Sequence, residues 1–150
     1  MPENGCTRTP YRYLDHVADT RFIAYGESFG AVFENAAKAM FGVIADISNV
    51  SGDISFPVEL TAPDAESLLV DWLSELLFLF DAEEVLLGRF TVETVGKTAD
   101  GSLCLKAVVS GENTDPDVHE MKTEVKAVTY NGLRIEETKD GWEAEVVLDL

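Results

Sequence analysis

Basic residues are scarce in this chain. Eleven Lys and Arg stand against 28 Asp and Glu in 150 residues, for a net charge of −17. Direct nucleic-acid binding needs a basic footprint to neutralise phosphates, and this chain would repel them. Any nucleic acid in its biology would be held by a basic partner. The acidity fits a solvated surface that keeps the chain soluble, and equally an acidic face that docks a basic protein. Cysteine is rarer still: Cys6 and Cys104 form no metal or redox spacing, so two free thiols in a reducing, cytoplasmic setting are expected. Long apolar runs are also missing. The longest strongly apolar stretch, Leu76 to Phe80, falls far short of the ~20 residues a membrane helix needs. Residues 1–10 are polar and lack the hydrophobic stretch of a signal peptide, so they read as a flexible tail.

Familiar catalytic signatures are absent as well. The chain has no Gly-x-x-x-x-Gly-Lys phosphate loop, no Gly-x-Gly-x-x-Gly and no His-Glu-x-x-His. A serine relay would need His16 or His119, and neither of these lies in a Gly-x-Ser-x-Gly setting. What remains is an ordinary apolar fraction of 46%, enough for one globular domain over residues 11–150. A chain of this size buries roughly 68–70% of its unfolded surface.

The periodicities predict its elements. Thr20 to Tyr25 can form a strand that Gly26 ends, and Ser28 is a good helix N-cap. Phe29, Val32, Phe33, Ala36, Ala37, Met40, Phe41 and Ile44 then follow helical spacing. Residues 54–60 alternate as a half-buried strand, and Pro57 places that strand at a sheet edge. Asp64 caps a second helix, whose stripe from Leu68 through Trp72 to Phe80 is wider and suggests the more buried of the two. A period of two returns at Phe90 and Val92. Asp100-Gly101 turns into a strand facing Leu103, Leu105, Ala107 and Val109 inward, and residues 111–121 form one long polar loop. Val125, Ala127 and Thr129, with Lys126 on the opposite face and solvent-facing or ion-paired, lead into Asn131-Gly132, a type I′ hairpin signal. Asp140-Gly141 turns again before Trp142 to Leu148. The expected fold is α+β: two amphipathic helices on one face of a mostly antiparallel sheet, in a single domain.

Two acidic signatures sit far apart in this chain, Asp15-His16-Val17-Ala18-Asp19 and Leu148-Asp149-Leu150. If the fold brings Asp19 beside Asp149 and the terminal carboxylate, three negative groups share a small volume. Like charges ~4 Å apart repel by about 1 kcal/mol in water and about 4 kcal/mol at an effective dielectric near 20. A hard cation relieves that repulsion, and Ca²⁺ prefers oxygen ligands of this kind. Asp15, His16 and Asp19 could alternatively form a hydrolytic metal site. Surface carboxylates beside a hydrogen-bonded histidine are the plainer alternative. His119 reads as a structural histidine that fixes its loop to a backbone carbonyl.

These segments together resemble the archease family. The opening motif is similar to that family's Asp/Glu-His-Thr-Ala-Asp, and the first helix shares its Ala-rich run ending Ala39-Met40-Phe41. Leu69 to Leu77 looks like its Trp-Leu-x-Glu-Leu-Leu helix. Glu124-Val125-Lys126-Ala127-Val128-Thr129-Tyr130 matches its Glu-Val-Lys-Ala-Ile/Val-Thr-Tyr-His segment, with His119 upstream as expected. The match runs from about residue 11 to the end. Val17 replaces the usual Thr and Asn131 the usual His. The resemblance implies a non-enzymatic activator, with no catalytic residues of its own, of the RNA-splicing ligase in tRNA splicing and repair. Its role would be to promote guanylylation of the ligase by GTP and multiple turnover. It also implies a divalent cation, Ca²⁺ by preference, held by Asp19, Asp149 and the backbone oxygen of Leu150. Asp15, His16, His119 and Lys126 would support that site or touch the partner. The partner would be the ligase protein itself, with no nucleic acid bound directly and no membrane. The alternative is a chaperone-like modulator of RNA-modifying enzymes such as a tRNA methyltransferase.

Overall fold

The computed structural model describes residues 9–14 and 19–150. Its elements run β1 (Tyr11–Leu14), β2 (Asp19–Gly26), α1 (Phe29–Ile44), β3 (Ile54–Ala62), α2 (Ala65–Glu83), β4 (Val85–Lys97), β5 (Leu103–Asn113), β6 (Ala127–Thr138) and β7 (Gly141–Asp149). Both helices begin where a capping side chain satisfies an otherwise orphaned amide. Ser28 Oγ accepts from Ala31 N at 3.1 Å, and Asp64 Oδ1 accepts from Ser67 N at 2.8 Å.

The fold is α+β, as the periodicities predict, but its strands make two antiparallel sheets rather than one. Four strands run in the order β1-β2-β7-β6 and three in the order β3-β5-β4. Helix α1 packs on β2 and β7 of the first sheet and on β4 of the second, while α2 packs on β6 and on β3. The helices therefore fill the space between two sheets. That arrangement needs apolar residues on more than one side of each helix. In α1, Val32, Phe33, Ala36, Ala37, Ala39, Met40, Phe41 and Ile44 are all buried. Each large apolar side chain buried this way stabilises the fold by about 1.5–3 kcal/mol.

Helix α1, not α2, is the more buried. Eight of its sixteen residues are buried against seven of nineteen in α2, where Phe78 is 59% exposed. Its small residues Ala36, Ala37 and Ala39 let both sheets approach closely, whereas the longer α2 keeps one side in solvent. Trp72 on α2 is fully buried, and its indole Nε1 donates to Phe33 O of α1 at 2.9 Å.

Strand β1 has no counterpart among the expected elements. It pairs with β2 from Tyr11↔Ala24 to Leu14↔Arg21, and the Tyr13 hydroxyl donates to Ala39 O of α1 at 2.9 Å. Burial against that helix, and Tyr11 beside it, push the Tyr13 phenol well above its ordinary pKa. The Pro10 carbonyl also accepts from Tyr25 N at 2.8 Å, so the sheet's hydrogen bonding extends to Pro10. Strand β3 is an edge strand, which is where a proline that cannot donate to the ladder belongs.

Asn131-Gly132 is not a hairpin. Strand β6 runs through it and pairs with β7 on both sides, Thr129 opposite Val147 and Arg134 opposite Glu145. Residues 130–133 thus stand opposite Val146 alone and bulge out of the ladder. A type I′ turn needs positive φ at both central residues. Only Gly132 has it, at φ 78°. Strand direction reverses instead at Lys139-Asp140, between the paired Thr138 and Gly141 and one residue before the expected Asp140-Gly141.

Candidate functional site

The outer face of the four-stranded sheet, away from the helices, gathers the residues of interest. In β7, Ala144, Val146 and Leu148 point into the core, leaving Glu143, Glu145, Val147 and Asp149 on the other face. Register does the rest. Asp19 of β2 stands opposite Asp149, and Asp149 stands opposite Ala127 of β6. Three strand ends therefore meet in one row, and directly opposed residues lie ≈4.5–5.5 Å apart in such a sheet. Two residues separated by nearly the whole chain are adjacent in the backbone.

Lys126 lies just outside β6, not within it. It is exposed and its backbone N donates to Asp149 O at 2.8 Å. Among the described residues its ammonium forms no ion pair. The inward residue of this segment is Val128, while Ala127 is exposed, the reverse of the expected facing. The ladder from Ala127↔Asp149 to Thr129↔Val147 sets that orientation, because Asp149 and Val147 themselves face outward.

Further along the same face lies an ion-pair network. Arg134 donates to Glu143 at 2.7 Å, to Glu145 at 3.1 Å and to Glu136 at 3.1 Å, and Arg21 meets Glu145 at 3.1 Å. The hydrogen bond to Glu143, ahead of those to the other carboxylates, holds the Arg134 guanidinium above its ordinary pKa. The bulge leaves Tyr130 57% exposed beside this row.

The loop between β5 and β6 approaches the same end of the sheet, and it contains His119, which is 7% exposed. Its Nδ1 accepts from Asp115 N at 2.9 Å, so that nitrogen carries no proton. Nε2 is then the N–H donor to Glu112 Oε2, at 2.5 Å. Glu112 Oε1 receives Ser51 N at 3.1 Å and Ser51 Oγ at 2.8 Å. His119, followed by Ser51, lowers the Glu112 pKa to about 2. The histidine fixes its loop as expected, but to a carboxylate rather than a backbone carbonyl. Neither ring nitrogen is left for a metal or for base catalysis. The Glu112–Ser51 partnership had no signal in the sequence, since its members lie in separate loops and strands.

Asp15 and His16 lie outside the described residues. Among the described residues, no group of three or more His, Cys, Asp or Glu side chains is gathered to hold a metal ion. The backbone register sets Asp19 opposite Asp149, with Leu150 next in the chain. Asp149 O accepts from Lys126 N at 2.8 Å.

Comparison with known proteins decides the kinship of this arrangement. The model of the Archease protein family matches residues 11–150. The chain belongs to that family. It is 52% identical to Protein archease of Methanosarcina acetivorans over 150 residues, the whole of both chains. It is 38% identical to Protein archease of Pyrococcus furiosus over 141 residues, covering 93% of this chain and 98% of that one. The solution structure of Methanobacterium thermoautotrophicum protein 1598 superposes with a TM-score of 0.83 at 41% identity, covering 94% of this chain and 99% of that chain. The archease fold, with its two helices and two antiparallel sheets, is therefore the fold of this chain. No helix among the described residues is long and apolar enough to cross a membrane.

Proposed function

We propose that this chain activates the RNA-splicing ligase without catalysis of its own, promoting guanylylation of the ligase by GTP and its multiple turnover. Family membership and the motifs quoted above support the reading. One observation carries it further: the β2-β7-β6 row sets Asp19 opposite Asp149, the two positions at which the resemblance puts metal ligands. Asp19, Asp149 and the backbone oxygen of Leu150 would hold a divalent cation, Ca²⁺ by preference. Such a cation, when bound, neutralises the paired carboxylates and offers open positions to a partner. Three protein oxygens leave several of the usual 6–8 Ca²⁺ positions unfilled, so the isolated chain should bind Ca²⁺ modestly. Lys126, held by its backbone to Asp149, is exposed next to that row and free to meet the ligase. The acidic surface supports docking on a basic protein and disfavours direct contact with RNA.

A ligase turnover assay tests the reading. Asp19→Ala and Asp149→Ala should each abolish stimulation and weaken Ca²⁺ binding in a calorimetric titration. Neither should destabilise the fold, because the two positions are opposed at strand ends and each substitution removes a negative charge from a strongly acidic chain. The double variant should be no worse than either single one, as expected for one shared site. Full stimulation by either single variant would overturn the shared site, and no stimulation by the wild-type chain would overturn the reading.

A further inference from the structure

His119 is the only buried polar or charged residue among those described. Burying an imidazole is costly unless its nitrogens are satisfied, and here both are. The local bond, Asp115 N to Nδ1, spans four residues and shapes a turn. The other, Nε2–H to Glu112, ties the loop back to β5, and Glu112 carries the tie on to Ser51. Immediately after His119 the chain docks on the end of α1. Asp46 N donates to Glu120 O at 3.1 Å, Met121 bridges Ala45, and Lys122 N donates to Ile44 O at 2.8 Å. The last of these bonds satisfies a carbonyl that a helix C-terminus otherwise leaves orphaned. Four residues later Lys126 N reaches Asp149 O.

Residues 114–126 have no regular structure apart from the single bridge at Met121, so their path is set by these ties, together with Thr114 N to Glu84 O at 2.8 Å and His119 N to Asp115 O at 2.7 Å. We propose that His119 is a positioning residue: by latching residues 114–126 to Glu112, it fixes where Lys126 meets the Asp149 end of β7. The row proposed above as the functional site would then depend on a histidine outside it. The latch rests on the activator reading only for its effect on the ligase, because its effect on Lys126 is measurable in the isolated chain.

Amide hydrogen exchange of the full chain, followed by NMR, tests the latch. His119→Ala should speed exchange of the Lys126 amide about tenfold or more while amides of α2 around Trp72 keep their protection. Two substitutions separate the two bonds. His119→Gln keeps a donor where Nε2 lies and should restore Lys126 protection, whereas His119→Asn keeps an acceptor where Nδ1 lies and should not. In the ligase assay, His119→Ala should raise the chain concentration needed for half-maximal stimulation, and His119→Gln should restore it. Unchanged Lys126 exchange in His119→Ala overturns the latch, as does equal behaviour of the Gln and Asn variants. If His119→Ala fails to fold, the Gln and Asn pair still decides. A wild-type chain that does not stimulate the ligase sinks the activator reading, while the exchange result still judges the latch.

Discussion

Replacing Trp72 probes the junction that holds both sheets together. Its side chain is the largest of the fully buried ones, and its N–H donates to Phe33 O across the helix pair. Trp72→Ala removes the indole and leaves a cavity that rigid neighbours on several elements can close only in part. The expected loss is about 3–5 kcal/mol. Trp72→Phe keeps much of the ring and loses the hydrogen bond, but Phe33 O lies inside α1 and retains a helical partner. That change should therefore cost only about 1–2 kcal/mol. Domains of this kind hold roughly 5–15 kcal/mol in total, so the alanine variant stays folded with a narrow margin. With a urea slope of about 2 kcal/mol per molar, the midpoint should fall by about 2 M for Ala and about 0.5–1 M for Phe. Far-UV circular dichroism should follow the transition, because removing Trp72 also alters the fluorescence signal. A loss within about 1 kcal/mol for Trp72→Ala, or equal losses for Ala and Phe, would refute this account of the packing.

Acid should release the Glu112 tie in a defined window. Its pKa is depressed in the folded state from 4.5 to about 2, so its contribution is present above 4.5 and is lost as pH falls from there through about 2. Measured against Glu112→Gln, the wild-type stability advantage in urea should be constant above that window and vanish toward its lower end. The β6 bulge makes a different prediction: Gly132→Ala should cost about 1 kcal/mol because of its positive φ, while Asn131→Ala should stay within ~0.5 kcal/mol. Comparable losses at both positions would restore the type I′ turn. Deleting residues 1–8, polar and carrying the breakers Pro2 and Gly5, should leave thermal unfolding and ligase stimulation unchanged within error.

Local chemistry was legible from the amino acids alone. Ser28 and Asp64 cap helices because their side-chain oxygens meet orphaned amides three residues on, a contact contained in the local sequence. Pro57 marks an edge because it has no N–H to give, and the 3.6 and 2 periodicities separate helices from strands. The opening and closing motifs likewise pointed to Asp19 and Asp149. Other features depended on contacts between distant segments. Alternation says that a strand has a buried face but not which layer covers it, so one sheet and two could not be told apart. Asn-Gly supplies a positive φ that serves a hairpin or a bulge equally well, and the pairing of both flanks with β7 decided for the bulge. His119 announced a structural role, but its partner Glu112 comes from β5, and Ser51, which bonds Glu112 in turn, comes from the loop after α1. The register that sets Asp19 opposite Asp149 is likewise a property of the closed sheet, because only after β2 and β7 pair do residues that far apart in the chain become neighbours.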